Sequence, residues 1–386
     1  MAGWMEKGLR RLARFQIKHY LAVCIVALII TLILSIGISR ISMQTDFSKS
    51  SPQDLEIIKL NTEVSSKFGG EDVVLIVVQL DKESGKENSI SDIRDPKVVE
   101  FLQELGDSLS KESLVTSVRS VGDVFEATGN PQTLEQSKFI IEQTGAESFY
   151  NKDYSITLLY VFSDLSGGEE KVKELTEVIK ERVDSSTKPS GVKISITGNP
   201  PLRVIIFKLL ASDAIFTLSI AALIILLLLI VLERSFTKAF LIFIPLLLGI
   251  DWTLGLMGWL NIPLSVATVG IGAMILGLAV EYGVFIVSRY TEEKRRMPHE
   301  KALEEAVSGV GSAVIGSGGT TIVGFLALTL SAMPMLQDLG KSLALGITFC
   351  LVSGVFVNPS FMILEERMVS YFKKKREMKH KIGRKK

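Results

Sequence analysis

Six stretches of this chain are long and apolar enough to cross about 30 Å of hydrocarbon as helices. They run roughly over Tyr20–Ser39, Ala214–Leu232, Ala239–Leu260, Pro263–Ser288, Val307–Leu330 and Leu339–Leu364. Composition points the same way: 47% of the 386 residues are hydrophobic and the mean hydropathy is +0.35, more apolar than a soluble domain normally is. The first run resembles a secretion signal, but its apolar core of about twenty residues is longer than a signal core and no small-residue cleavage site follows. It reads as an uncleaved anchor.

Charge sets the orientation. The formal net charge of +1 hides a segregation. The N-terminus carries Lys7, Arg10, Arg11, Arg14 and Lys18, and the C-terminus ends in a run from Lys373 to Lys386 that is mostly basic. Both short loops Glu233–Lys238 and Arg289–Lys301 contain basic residues, whereas those around Asn261–Pro263 and Ser331–Asp338 contain neither Lys nor Arg. The positive-inside rule then places both termini (1–19 and 365–386) in the cytoplasm. It makes residues 20–39 the first span and 213–364 a five-span unit of a cell-membrane protein, and it leaves 40–212 as one extracytoplasmic domain. Basic ends on such a chain mark the cytoplasmic side, so nucleic acid is not an expected partner.

The outside domain holds 28 acidic and 20 basic residues and neither histidine nor cysteine. Strand patterns rich in Val, Ile and Tyr occur at Val73–Leu80, Leu114–Val121, Tyr154–Ser163 and Val192–Gly198. Helical patterns fall at Pro52–Phe68, Pro96–Leu109 after an Asp95-Pro96 start, Thr133–Gly145 and Gly168–Asp184. Two strand–helix–strand units in succession predict an α+β sandwich of the ferredoxin-like kind. Cys24 and Cys350 lie in apolar runs and read as buried packing residues, with no disulfide framework. No nucleophile elbow, phosphate loop or metal-ligand cluster is present, so neither an enzyme nor a cofactor or metal is expected. The glycine-rich fifth span, GSAVIGSGGTTIVGFLAL, lacks a preceding strand and a P-loop lysine, and its Ser312, Gly316, Gly319 and Thr320 predict a tightly packed helix face.

The fourth span contains GLAVEYGVFIVSRY, and Glu281 is its one charge before Arg289. A charged side chain near mid-bilayer costs at least about 2.5–3.5 kcal/mol, so such an acid is a functional candidate. Helical steps back from Glu281 reach Gly277, Met274, Ala273 and Gly270, a small-residue stripe that faces protein and admits a neighbouring helix. Desolvation favours the protonated carboxyl, which suits proton binding and release; the plainer reading is a protonated acid that glues two helices. Asp251 is the second intramembrane acid, with Gly255 and Gly258 on its face. It lies deeper than Glu281 by about 7 Å at 1.5 Å per residue, a gap that water or the hydroxyls of Thr320 and Thr321 would have to bridge for a relay.

One anchor, one large outside domain and five further spans with an acid in the fourth resemble half of a resistance–nodulation–division (RND) transporter. The resemblance is to the MMPL-type lipid and hydrophobe exporters, whose five-span unit is shared with sterol-sensing domains. The fourth-span motif of that branch, Gly-x-x-x-Asp-Tyr followed by Ser-Arg-Tyr-x-Glu-Glu, is matched by Gly277, Glu281, Tyr282, Ser288, Arg289, Tyr290, Glu292 and Glu293. Pro334 to Gly340, Val357-Asn358-Pro359 and Thr197-Gly198-Asn199-Pro200 are also similar to family segments. Glutamate stands where the family usually has aspartate. The resemblance implies a proton-coupled transporter in which Glu281 is the proton site and the substrate is a lipid or other amphiphile.

The family's usual chain has two such halves, so the resemblance also implies a partner. A homodimer is expected, with fourth spans near the axis, Gly270 and Gly277 at the interface, and Tyr282 of each copy donating to Glu281 of the other. Two rival readings are a lipid or sterol sensor, which needs no titrating acid, and an auxiliary subunit of protein export. The orientation is open to direct test. A cysteine introduced by Ser186→Cys should react with an impermeant label from outside and one introduced by Ser235→Cys should not; the reverse pattern would invert the topology.

Overall fold

The computed structural model describes residues 2–44, 51–52, 54–60, 63, 72–81, 90–163, 165 and 169–383. In chain order the elements begin with α1 (Ala2–Lys18), α2 (Tyr20–Ile38), β1 (Val73–Leu80), α3 (Pro96–Ser110), β2 (Val115–Arg119), α4 (Val121–Thr128) and α5 (Leu134–Thr144). They continue with β3 (Ile156–Ser163), α6 (Glu169–Ser185), β4 (Val192–Gly198), α7 (Asn199–Glu233), α8 (Phe236–Trp259) and α9 (Ile271–Glu293). The last are α10 (His299–Ala327), α11 (Pro334–Val352) and α12 (Asn358–Gly383). They form two compact units, Gln53–Lys208 and the remainder of the chain.

In the polar unit the four strands form one sheet in the order β2-β3-β1-β4, each pair antiparallel. Helix α3 joins β1 to β2, and α6 joins β3 to β4. Alternation decides which side chains enter the core. Val74, Ile76 and Val78 of β1 and Leu159 and Val161 of β3 are buried with Val98, Leu102 and Leu105 of α3 and Val172, Leu175 and Ile179 of α6. The expected starts and stops are present. Asp95 accepts from the Lys97 amide with Pro96 in the first turn, Thr133 accepts from the Gln136 amide, and Gly145 ends α5 at φ 69°. Helix α4 was not expected, although the capping box Ser120–Asp123 marks its start. Gly198 ends β4 at φ 114°, where a Cβ would stand 3.1 Å from Val74 Cα. Beneath one corner Arg94 donates to both Asp92 oxygens at 2.8–2.9 Å and lies 3.8 Å over the Tyr154 ring. That guanidinium, with Lys138, holds the Asp92 carboxyl down at about 2. Within the expected helix at Pro52–Phe68, Glu56–Leu60 and Glu63 are helical, and 53, 61–62 and 64–68 lie outside the described residues.

The other unit contains helices long and apolar enough to span a membrane; with the one that begins in the polar unit, there are six among the described residues. Their limits depart from the hydropathy reading in instructive ways. The second starts at Asn199, because the chain turns from Gly198 straight into helix and prolines are tolerated in a first turn. The fourth begins at Ile271 rather than Pro263: Leu264 bridges to Met43, and the Ser265 amide donates to the Thr268 hydroxyl at 2.7 Å. The sixth passes through a π-turn at Ser353–Val357 into α12.

Glycines set the closest helix crossings. A Cβ on Gly255 would lie 2.6 Å from the Leu34 carbonyl carbon, and one on Gly258 would overlap the Gly37 carbonyl, so the first and third spans meet backbone to backbone. Gly249 meets Cys350 in the same way, joining the third span to the sixth. Cys350 is buried there, while Cys24 is only partly covered.

Helix α1 was not expected. Its Leu9, Ala13 and Gln16 are buried against the bundle, and Arg10 and Arg14 pair with Glu305 and Glu304 at 3.2 and 2.8 Å. Gln16 reaches the π-turn. Pro359 has no N–H to return to the preceding turn, and the Gln16 amide donates instead to the carbonyls of Val355 (3.0 Å) and Phe356 (2.9 Å). Each buried carbonyl left bare costs about 1–3 kcal/mol. Gln16→Met, which keeps the length and loses the donor, should therefore lower the unfolding temperature of the detergent-solubilised protein by several degrees. A wild-type melting curve would show that packing alone holds α1.

Candidate functional site

Glu281 stands midway along α9, half-buried, and its Oε1 accepts a hydrogen bond from Ser317 Oγ of the fifth span at 3.1 Å. The surface around it is open. At Gly277, Gly316 and Gly319 no described atom outside the local helix backbone comes within 4 Å of where a Cβ would sit, and Met274, Leu278, Phe285 and Val323 are exposed. The expected packing face of the fifth span is thus open at Gly316 and Gly319, and the stripe beneath Glu281 is open at Gly277 among the described residues. Beside them Gly318 does pack, and a Cβ there would stand 3.4 Å from the Tyr282 hydroxyl. Gly270 sits at the N-cap of α9, not inside it.

Tyr282 corrects an expectation. One residue on from Glu281 turns a side chain by about 100°, and here that turn is inward: Tyr282 is 1% exposed. Its Cβ lies beside the π-turn, 3.6 Å from where a Cβ on Gly354 would stand, and its hydroxyl points to Gly318 of the fifth span. Thr321 and Thr320 both donate to the Ser317 carbonyl, at 3.0 and 2.8 Å. Thr320 and Thr321 keep to their own helix, and the hydroxyl that touches Glu281 is that of Ser317. Ser317 was not singled out from the sequence; its signal is a lone hydroxyl in Gly316-Ser-Gly-Gly, the segment that faces α9.

Asp251 turns the other way. Both its oxygens accept from Ser35 Oγ of the first span, at 2.8 and 3.1 Å. One residue on, Trp252 Nε1 donates to Thr31 Oγ1 at 2.9 Å. Gly255 and Gly258 share this face, as helical counting predicted. The two acids therefore look to different helices, and no hydrogen bond joins them among the described residues. The Ser-Arg-Tyr-x-Glu-Glu segment ends the fourth span with ion pairs. Arg289 reaches Glu292 at 3.1 Å and Glu293 at 2.7 Å, Tyr290 bonds His299, and Lys294 pairs with Glu366. These contacts fix the turn between the fourth and fifth spans, and so the register that brings Ser317 to Glu281.

A bundle of spanning helices with a carboxylate inside it, and a four-stranded α+β unit between the first two, defines a multi-pass membrane protein with an intramembrane acid. The chain belongs to the MMPL family, whose sequence model matches residues 49–385. It is 37% identical over 372 residues to a membrane protein of Methanocaldococcus jannaschii, a match covering 95% of this chain and 96% of that one. It is also similar to the siderophore exporter MmpL5 of Mycobacterium tuberculosis, 26% identical over 243 residues, and to the sulfolipid-1 exporter MmpL8 of that species, 25% identical over 95 residues. Those matches cover 60% and 24% of this chain but only 24% and 9% of the mycobacterial proteins.

Proposed function

We propose that this protein is a proton-coupled transporter that moves a hydrophobic or amphiphilic substrate, a lipid in the simplest case. Glu281 carries the proposal: a carboxyl set among spanning helices, held by one serine, on a face the chain leaves open. Family membership supports transport, and two relatives are exporters by name, one of a siderophore and one of a sulfolipid. In this reading Glu281 takes a proton, loses its charge and shifts its grip on Ser317, and the fifth span moves against the fourth. One charge crossing 100 mV supplies about 2.3 kcal/mol, enough to bias such a two-state pair.

The polar unit takes the part of an extracytoplasmic, ferredoxin-like porter domain. Its strand order and its two strand–helix–strand connections support that assignment. The basic termini lie in the cytoplasm. A second copy covers the open face, because Gly277, Gly316 and Gly319 have room beside them that a neighbouring helix would fill. Tyr282, being buried, backs Glu281 from within its own chain rather than bonding across the axis. Asp251 enters as a second proton site only if the bond to Ser35 opens.

Glu281→Gln should fold and assemble, since the amide fills nearly the same space, yet lose gradient-driven transport of lipid in proteoliposomes; Glu281→Asp should keep part of it. Normal transport by the Gln variant would reduce Glu281 to a structural role. Cysteine crosslinking of Gly277→Cys in native membranes should give a symmetric dimer band, and its absence would remove the fourth-span interface.

A further inference from the structure

Helix α1 has a side that the bundle does not use. Trp4 is 85% exposed and Phe15 56%, and Lys7 and Arg11 lie between them on the same outward stripe. The basic residues of α1 divide into two sets. Arg10 and Arg14 are paired with carboxylates of α10, whereas Lys7 and Arg11 have no ion pair among the described residues. Their one acidic neighbour in sequence, Glu6, is bonded to Arg10 at 3.4 Å. Between this stripe and the π-turn lies a crevice of about 400 Å³, lined by Trp4, Lys7, Gly8, Arg11, Leu12 and Phe356.

Its depth follows from the contacts of α1. Arg10 and Arg14 meet Glu305 and Glu304, on the charged turn that precedes the apolar part of the fifth span. Leu9 touches Gly311, further in, and Gln16 reaches carbonyls within the sixth span. The helix therefore straddles the level at which spanning sequence passes from apolar to charged. In a bilayer that is the level of the headgroup phosphates.

We propose that this crevice is a binding site for an anionic phospholipid of the surrounding bilayer. Lys7 and Arg11 are four residues apart, so their heads converge on one side of the helix. Together they hold the phosphate, Arg11 offering a planar fork suited to two of its oxygens. An acyl chain lies along Leu12 and Phe356, and Trp4 takes the headgroup level favoured by indole rings. Two cations without a carboxylate between them select an anionic headgroup over a zwitterionic one, by about fivefold for each basic residue. Gly8 leaves the crevice floor open: a Cβ there would meet nothing within 4 Å. The site needs only that the spans lie in a bilayer and is independent of the transport reading.

The test uses the full-length protein in micelles, with lipid retention read by native mass spectrometry after adding phosphatidylglycerol or phosphatidylcholine. The wild type should retain one phosphatidylglycerol at least tenfold more readily than phosphatidylcholine. Lys7→Gln with Arg11→Gln should abolish that preference. Gly8→Leu, which fills the crevice and keeps both cations, should lose the bound lipid while melting at the wild-type temperature. Inorganic phosphate at millimolar concentration should not displace it. Equal retention of the two lipids by the wild type would overturn the proposal, as would wild-type retention by both variants. Displacement by phosphate would show a free-anion site instead, and overturn it equally.

Discussion

Hydrocarbon offers a free backbone carbonyl nothing to bond to, and the sixth span contains a proline that frees one. Much of the membrane unit is arranged around that constraint. The helix widens into a π-turn at Ser353–Val357 before Pro359, and Gln16 crosses from α1 to satisfy Val355 and Phe356. Ser353 donates to the Pro245 carbonyl at 2.6 Å, tying the irregular turn of the sixth span to the proline of the third. Gly354, in the same turn, packs beside the Cβ of Tyr282. One local break thus docks the N-terminal helix, joins two spans and seats the residue behind Glu281.

The features legible in the sequence were those governed by a short period or a single residue type. Six hydropathy runs became six spanning helices, and four alternating runs became four strands, because lipid and a half-buried sheet each impose one pattern on any chain. Asp95-Pro96 marked a helix start by its capping chemistry. Helix α1 escaped because its basic residues were read for orientation, and because its buried face includes a glutamine whose partner lies about 340 residues away. The π-turn escaped for a related reason: Asn358-Pro359 signals a break, but not which side chain repairs it.

The candidate site shows the same division. Helical counting correctly grouped Asp251 with Gly255 and Gly258, and Glu281 with Gly277. It could not say what each face would meet. One glycine group presses against the first span and the other faces open space, although both read as small-residue stripes. Tyr282 illustrates the limit most sharply. Its offset of about 100° from Glu281 is fixed by the helix, but whether that points into the bundle or away depends on which neighbours close around it.

The seam of Gly37, Gly255 and Gly258 has a mechanical meaning. Backbones in direct contact have no compressible side chains between them, so the first and third spans slide past each other only by lifting apart, and the Ser35–Asp251 and Thr31–Trp252 bonds resist that. They form a stator. The fifth span meets Glu281 through Ser317, and among the described residues nothing lies within 4 Å of a Cβ on Gly316 or Gly319. The first and third spans are therefore held as one rigid pair, and any rearrangement of the bundle has to carry them together.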